Sequence, residues 1–490
     1  MTSLGCCGTP ARVPDPGESP DALLRLVLPL LAWVAAHCQR AGLSERVASI
    51  VPALGYPVVY AVVVAVLIVV RRGAADRRLA AMLAGLAGGF AIWIALHPAS
   101  GAEFALARGD HLLAAGCGGA AIRRLPAAVR LRVLVVVSVG VLVLLAGPVA
   151  VAIVFAGMAG GVVAHRLDPT ASPSRTLLVQ ASLMGATELG CYLAWGRYGT
   201  LGIAAQGLFA FMLLRHVSWV VDVRRGAQGS FLDYCCFQLF YPCCYGATER
   251  FADFRARNAD PGAFVDERGL FRAAFRGAVY SGIWLVFPAS IDLASLLTAP
   301  GRLAFAATYL LVFVRSAIFL MAVWSTLEAI ALCWGMRIHP NFAGILAARS
   351  PSQFWYAWRG TMTRWLVEYV YIPLGGNRAH QVRNVFAVFA VSAAWHAMGV
   401  PFLQPTRPLA ALAPIGAWAL VNAVVLSVAL AWRGRGWTLW PPMTPALVRT
   451  NAARLGTWVF GGVTATFLAF QSGDLLDRFP DFLTRLAGLH

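Results

Sequence analysis

The chain has 490 residues, 59% of them hydrophobic and 13% charged, with a mean hydropathy of +0.68. Soluble globular proteins carry about 25% charged residues, so this composition excludes an ordinary soluble enzyme and points to an all-α polytopic membrane protein. Its 40 basic residues against 22 acidic give a net charge of +18, and every one of the 40 is arginine.

In chain order, residues 1–20 are rich in Pro and Gly and lack a basic stretch ahead of an apolar core, so no cleavable signal peptide is expected. Ala22 to Cys38 is apolar but short and carries Arg25 and Pro29, which fits an interfacial helix or a marginal first span equally. Val51 to Val70 and Leu79 to Leu96 read as spans, joined by the basic loop Arg71 to Arg78, whose charge places it on the cytoplasmic side. His111 to Ile122 is too short to cross, and the AAIRRLPAAVRLR stretch at 120–132 reads as an interfacial basic helix. Val133 to Val163 is a long apolar run broken at Gly147-Pro148, compatible with one kinked span or two short ones. Leu177 to Trp195 and Leu201 to Val221 form a near hairpin that returns to the cytoplasm at Arg224-Arg225.

Asp222 to Arg276 is the longest basic loop, and Val279 to Leu297 and Leu303 to Cys333 cross out and back. A second basic region, Arg337 to Arg383, precedes an apolar run at Asn384 to Val400 that holds His396. Leu409 to Trp432 and Trp458 to Phe470 complete the chain, with Arg433-Gly-Arg435 between them. About ten to eleven transmembrane helices result, with re-entrant or interfacial helices besides. No internal repeat argues for an inverted-repeat transporter. The expected division is an N-terminal tail with a possible interfacial helix or marginal span at 1–45, a transmembrane scaffold at 46–221, a functional core at 222–400 and C-terminal transmembrane helices at 401–490.

Few residues can carry chemistry in such a chain. His396 lies well inside an apolar run, where an ionisable group is a functional candidate because its burial costs free energy. The plainer alternative is a histidine hydrogen-bonded to a neighbouring helix. Small neighbours at Ala393, Ala394, Ala397 and Gly399 let another helix or a substrate approach it, which favours a site. Glu188, Asp222, Asp292, Glu328 and Glu368 read as partners for arginines such as Arg315 and Arg364. Glu368 and Arg364, four residues apart, are placed to neutralise each other on one helix face. The doublets Cys235-Cys236 and Cys243-Cys244 lack the spaced CxxC pairs of a zinc site, so no metal is expected and the cysteines read as small hydrophobes. Aromatic residues at 354–365 fit an interface belt better than a base-stacking platform, and nucleic acid is not an expected partner.

The segment FWYAWRGTMTRWLVEYVYIPLGGNR at 354–378, followed by Asn384 and AAWHAMG at 393–399, resembles the signature of the membrane-bound O-acyltransferase superfamily. The likeness is to its bacterial branch, which includes alginate O-acetylation and D-alanyl-lipoteichoic acid export proteins. Those relatives carry FWRRWH, then a YIPLGGNR-type stretch, then LWHG. Two further blocks are similar in the right order: LDYCCFQLFYPCCYGATERFADF at Leu232 to Phe254, and HPNF at His339 to Phe342. The likeness covers about Trp219 to Gly399.

It implies a helical fold of that type and an enzyme that moves an acyl group from a thioester to a hydroxyl of a polysaccharide, envelope glycan or lipid. His396 would be the general base, and a neutral imidazole is able to take that proton. Arg359 stands where the relatives' FWRRWH closes on histidine; an arginine cannot act as a base, yet it can bind donor phosphate or a developing oxyanion. The same resemblance makes Trp355, Trp358, Arg364, Tyr371, Asn377, Arg378, Asn384 and Trp395 candidates for substrate or donor binding. The donor would be acyl-CoA or an acyl carrier protein thioester, with no other cofactor. Expected partners are the donor, the acceptor and a periplasmic acyltransferase, and the expected location is the bacterial inner membrane, crossed several times. The acidic FDFSGYSD-like block of the relatives is here AVWSTLEAIALCWGM, and their GPI is Gly246-Ala247-Thr248. These departures, with Arg359, leave a second reading: an inactive scaffold or transporter that recruits or exports for a partner acyltransferase.

Overall fold

A computed structural model describes residues 125–146, 200–244, 248–259, 266–286, 293–400, 407–434, 446–470 and 473–487, with single residues and short runs between 151 and 186. All lie within one compact unit, Tyr56–His490. The expected spans at 51–70 and 79–96, the tail at 1–45 and most of 177–195 fall outside the described residues. Among the described residues the secondary structure is helical, without strands.

The first described helix, α1 (Ala127–Ala146), buries Leu134, Ser138 and Leu142, a row at four-residue spacing, while Val136 is turned outward. Helix α2 (Thr200–Arg224) is an interior helix whose last turns carry Arg215, His216, Ser218 and Asp222, all buried. Buried polar groups cost free energy unless bonded, and each has a partner. Arg215 Nη1 donates to the Gln238 carbonyl at 2.8 Å, His216 Nδ1 lies 2.8 Å from the Tyr234 hydroxyl, and Asp222 accepts from the Tyr369 hydroxyl at 2.9 Å. The Ser218 hydroxyl accepts from Phe251 N–H at 2.8 Å.

Those partners sit on the short helices that follow: α3 (Phe231–Leu239), α4 (Tyr241–Cys244) and α5 (Phe251–Arg257). Ser230 and Asp233 cap α3 reciprocally, which satisfies two backbone donors at its start. Cys235, Cys236 and Cys243 are buried and packed with Phe237, Phe240 and Trp334.

Helix α6 (Glu267–Val286) and the short α7 (Leu293–Thr298) replace the single expected span at 279–297. The helix begins among Arg268, Arg272 and Arg276, a stretch the sequence suggests is loop; Arg276 is held by Glu328 of the next helix at 2.9 Å. Helix α8 (Gly301–Cys333) runs 33 residues. Short helices α9 (Pro351–Ala357) and α10 (Gly360–Leu366) follow, and α10 passes without a break into a π-helical turn, Val367–Tyr371. Helix α11 (Gln381–Ala397), α12 (Pro408–Gly434, with Pro414 inside), α13 (Ala446–Ala469), a 3₁₀ turn Gly473–Arg478 and α14 (Phe479–Leu486) complete the described chain.

Among the described residues, two helices are long and apolar enough to cross a bilayer: Ala304–Cys333 and Pro408–Trp432, each with a mean hydropathy of 2.0. Helix α11, the expected histidine span, has 17 residues, short of the ~20 needed to span hydrocarbon alone.

Candidate active site

Two short helices meet at a sharp corner. Ser350 accepts from Gln353 N–H to start α9 with Pro351 in its first turn, and α9 ends where Trp358 N–H donates to the Phe354 carbonyl. Arg359 then takes left-handed backbone, φ 49° and ψ 49°, before α10 begins. Asn341 secures the corner, since its carbonyl accepts from Gly360 N–H at 2.8 Å and its side-chain oxygen accepts from Thr361 Oγ1 at 2.7 Å. This corner aims the Arg359 side chain into the protein. The guanidinium is surrounded by protein atoms yet keeps an intermediate share of its surface accessible. Both observations hold for a side chain that lines an internal opening.

His396 stands on the last turn of α11, edge-on to Trp395 at 4.8 Å and to Trp418 of α12 at 5.1 Å. It too is surrounded by protein while retaining accessible surface, and Arg359 is near enough to act on it electrostatically. Trp418 also contacts Trp355, at 6.1 Å, so α9, α11 and α12 share one aromatic wall. Neither His396 nor Arg359 makes a side-chain hydrogen bond or ion pair among the described residues. A histidine kept only to join two helices would be bonded to one of them.

The remaining candidates divide by what holds them. The Trp395 indole donates to the Ala210 carbonyl at 3.0 Å and fixes α11 to α2. Trp365, which the sequence did not single out for chemistry, does the same through the Leu214 carbonyl at 2.9 Å. Trp358 is buried against Phe313, Phe342 and Phe354, and Trp355 packs on Phe389 and Phe354. Asn384 is fully buried, and its amide donates to the Gly376 carbonyl at 3.0 Å and the Ala379 carbonyl at 2.7 Å. The Tyr371 hydroxyl donates to Asn377 Oδ1 at 2.8 Å. Together these bonds fasten the YIPLGGNR turn, in which Gly375 and Gly376 take φ of 109° and 56°, values that side chains rarely adopt. Arg378 is exposed on that turn, away from the aromatic wall.

The expected Arg364–Glu368 pair does not form. The π-helical turn begins at Val367 and widens the spacing from i+4 to i+5, so Glu368 rotates away and takes Arg225 at 2.7 Å and Arg250 at 3.5 Å instead. Among the described residues Arg364 makes no ion pair, and it lines a polar cavity of about 200 Å³ with Arg250, His339, Tyr356 and three carboxylates, Glu249, Asp253 and Glu368. Beneath the cavity Arg257 is paired with Glu249, and its Nη1 lies 2.7 Å from His339 Nε2. A guanidinium cannot accept, so that ring nitrogen is the acceptor and His339 carries its proton on Nδ1. Burial, followed by the Arg257 and Arg364 guanidinium groups, lowers the His339 pKa to about 4. Burial raises the Glu249 carboxyl, opposed by Arg257 and the His339 backbone N–H. Neither His396 nor Arg359 lines this cavity. Among the described residues no group of His, Cys, Asp and Glu is placed to hold a metal ion.

The described helices, the buried histidine and the aromatic corner coincide with a family domain. Residues 210–431 match the model of the MBOAT, membrane-bound O-acyltransferase family. Several curated relatives are named for acyl transfer. The chain is 32% identical over 138 residues to a protein of Helicobacter pylori named peptidoglycan O-acetyltransferase, across 27% of this chain and 23% of that one. It is 28% identical over 255 residues to a probable alginate O-acetylase AlgI of Pseudomonas syringae pv. tomato, across 45% of this chain and 48% of the relative. A shorter stretch of 43 residues is 46% identical to membrane-bound O-acyltransferase gup1 of Schizosaccharomyces pombe. The matches thus span about half, or less, of the length of these curated relatives.

Proposed function

We propose that the protein is a membrane-bound O-acyltransferase that transfers an acyl group from a thioester to a hydroxyl of a polysaccharide, an envelope glycan or a lipid. The observation that carries the reading is His396: set among aromatic rings within the matched region, without a side-chain bond among the described residues, and near the Arg359 cation. The names of the relatives, peptidoglycan O-acetyltransferase and alginate O-acetylase, support a glycan acceptor.

In this reading the neutral imidazole of His396 accepts the proton of the acceptor hydroxyl as that oxygen attacks the thioester carbonyl. The C–S bond breaks, and the imidazolium returns the proton to the departing thiolate. The donor, acyl-CoA or an acyl carrier protein, approaches from the arginine-rich side. Arg364, at the polar cavity, would bind its phosphates, for which the planar guanidinium fork is suited. Trp355, Trp395 and Trp418 form the wall against which the acyl group lies, while Asn377, Asn384 and Tyr371 hold the turn that positions α11. The location is the bacterial inner membrane, and a periplasmic acyltransferase is a partner in the reading where the acyl group is exported.

A second reading, a scaffold or transporter without catalysis, is favoured by Arg359 in the place of the relatives' histidine. Purified protein in nanodiscs, given acyl-CoA and an acceptor glycan, separates the two. His396→Ala is expected to lower kcat by about 10²-fold or more, as loss of a general base does. Turnover unchanged by that substitution removes His396 from the mechanism, and mass analysis of envelope glycans and lipids with and without the protein identifies the acceptor.

A further inference from the structure

Arg364 and Glu368 stand four residues apart, the spacing at which an arginine and a glutamate on one helix neutralise each other. Both line the polar cavity, yet they do not pair. The chain leaves α-helical geometry at Val367 for a π-helical turn, and two arginines from distant parts of the chain, Arg225 at 2.7 Å and Arg250 at 3.5 Å, take the glutamate. Such turns are rare and frequent at functional sites. The consequence here is an arginine at a cavity whose guanidinium has neither an ion pair nor a side-chain hydrogen bond among the described residues.

The rest of the lining limits what that guanidinium can take. Its three carboxylates are already met: Glu249 by Arg257, Glu368 by Arg225 and Arg250, and Asp253 by Arg250 at 3.8 Å. Donors remain open. Thr248, 2% exposed on the inner wall, has a hydroxyl without a hydrogen-bond partner, and Arg364 is exposed on the outer side. One open cation with a free hydroxyl suits a single oxyanionic group. A second such group would meet the carboxylates instead, and like charges brought together cost affinity. The volume agrees, since about 200 Å³ falls short of the ~300–1,000 Å³ that a drug-sized ligand fills. Trp365 joins this cavity to the histidine: it lines the cavity and packs in one cluster with Trp395, the residue before His396.

We propose that the cavity is a one-phosphate site for the acyl donor. Arg364 and Thr248 hold the phosphate next to pantetheine, and a nucleotide beyond that phosphate is left outside. Glu368 is a positioning residue, which Arg225 and Arg250 keep off Arg364 so that its fork stays open. The inference rests on the acyltransferase reading above and names what the donor site recognises: a phosphopantetheine thioester, whatever carries it. The arm then runs from the cavity past Trp365 towards Trp395 and His396.

Calorimetry on the full chain in phosphatidylcholine nanodiscs tests this with pantetheine, 4′-phosphopantetheine and coenzyme A. Adding the phosphate is expected to tighten binding about 10-fold or more, the scale of a charge-assisted hydrogen bond. Coenzyme A should bind within about 3-fold of 4′-phosphopantetheine, because its further anions face carboxylates. Arg364→Gln should erase the gain from the phosphate, and Arg364→Lys should keep part of it. Arg225→Gln should also weaken 4′-phosphopantetheine, since Glu368 is then released towards Arg364, and adding Glu368→Gln should restore it. A loss in Arg225→Gln that Glu368→Gln does not rescue overturns the positioning role. Equal binding of pantetheine and 4′-phosphopantetheine, or coenzyme A tighter by more than the stated margin, overturns the one-phosphate site. Loss of the phosphate effect in nanodiscs that contain phosphatidylglycerol overturns the donor assignment and gives the site to a lipid headgroup. Turnover of acetyl-CoA is followed on the same preparations. Its absence, with phosphate-dependent binding intact, overturns the acyltransferase reading while leaving phosphate recognition at Arg364 standing.

Discussion

Two non-glycine residues among those described, Arg359 and His380, have left-handed backbone, with φ of 49° and 51°. Each conformation costs about 1 kcal/mol relative to glycine, but the two differ in what the side chain touches. His380 precedes α11, exposed, without a capping bond. His380→Gly is therefore expected to raise stability by up to about 1 kcal/mol with turnover unchanged, read as melting temperature and rate on the same preparation. Arg359→Gly is expected to gain similar stability and lose activity, the separation that follows if strain there serves the reaction. His339 supplies a pH dependence. Its folded pKa of about 4 lies below the ordinary 6.5, so between those values the unfolded chain binds more protons than the native one. Stability should then fall as the pH drops from about 6.5 towards 4 and be flat above, because a proton on Nε2 breaks the bond from Arg257 and sets two cations together. Asn at this position keeps an acceptor for Arg257 and cannot titrate, so melting curves of His339→Asn should lose the slope that the native protein shows in that window.

The elements near the site show what a sequence can and cannot disclose. His396 stood out as a candidate because an ionisable residue in an apolar run is costly to bury, and the turn at Pro373-Leu-Gly-Gly-Asn377 because Pro, Gly and Asn favour turns. Asn384→Ala leaves the Gly376 and Ala379 carbonyls without their donor and should cost about 1–3 kcal/mol, seen as a lowered melting temperature with His396 chemistry slowed through its displaced helix. Partners distant in sequence were not legible. Arg364 and Glu368 satisfy every local rule for an i,i+4 pair, yet a π-helical turn and Arg225, 143 residues away, override it. Trp365 and Trp395 each donate to a carbonyl of α2, contacts that no periodicity announces. Helix α13 starts earlier than expected because Arg449 and Arg454 resemble loop, and α14 is too short to register as a span. Helix α13 also packs tightly on α9: a Cβ at Gly461 would enter the ring of Phe354. Gly461→Ala should destabilise by about 1–3 kcal/mol through overpacking and disturb the Arg359 corner, whereas Gly456→Ala, which meets nothing within 4 Å, should do neither.

At the scale of the whole molecule, the contacts sort the helix ends into two groups. Arg225 meets Glu368, Asn258 bonds to the Arg337 carbonyl, and Arg257 meets His339, so the C-terminal ends of α2 and α8 and the YIPLGGNR turn lie together. At the other end Arg407 pairs with Asp477, Arg485 donates to the Ala299 carbonyl at 2.9 Å, and Phe482 packs on Phe305, which gathers the start of α8, the start of α12 and the C-terminal helix. The first group carries Arg224, Arg225, Arg250, Arg255, Arg337 and Arg349 among others, while Arg407, Arg478 and Arg485 of the second are matched by Asp474, Asp477 and Asp481. Loops rich in arginine stay in the cytoplasm, so the first end, with the polar cavity and Arg364, is expected to face the cytoplasm. His396, at the far end of α11 from that surface, then lies where an acceptor can arrive from the opposite side. On a cysteine-depleted background, an impermeant thiol reagent added to intact cells should label Asp481→Cys and spare Gln228→Cys, both exposed positions. Inverted vesicles should give the reverse. Labelling of Gln228→Cys alone on intact cells would turn the molecule over and place the cavity on the acceptor side, and with it Arg364 would cease to be a candidate for binding cytoplasmic donor phosphate.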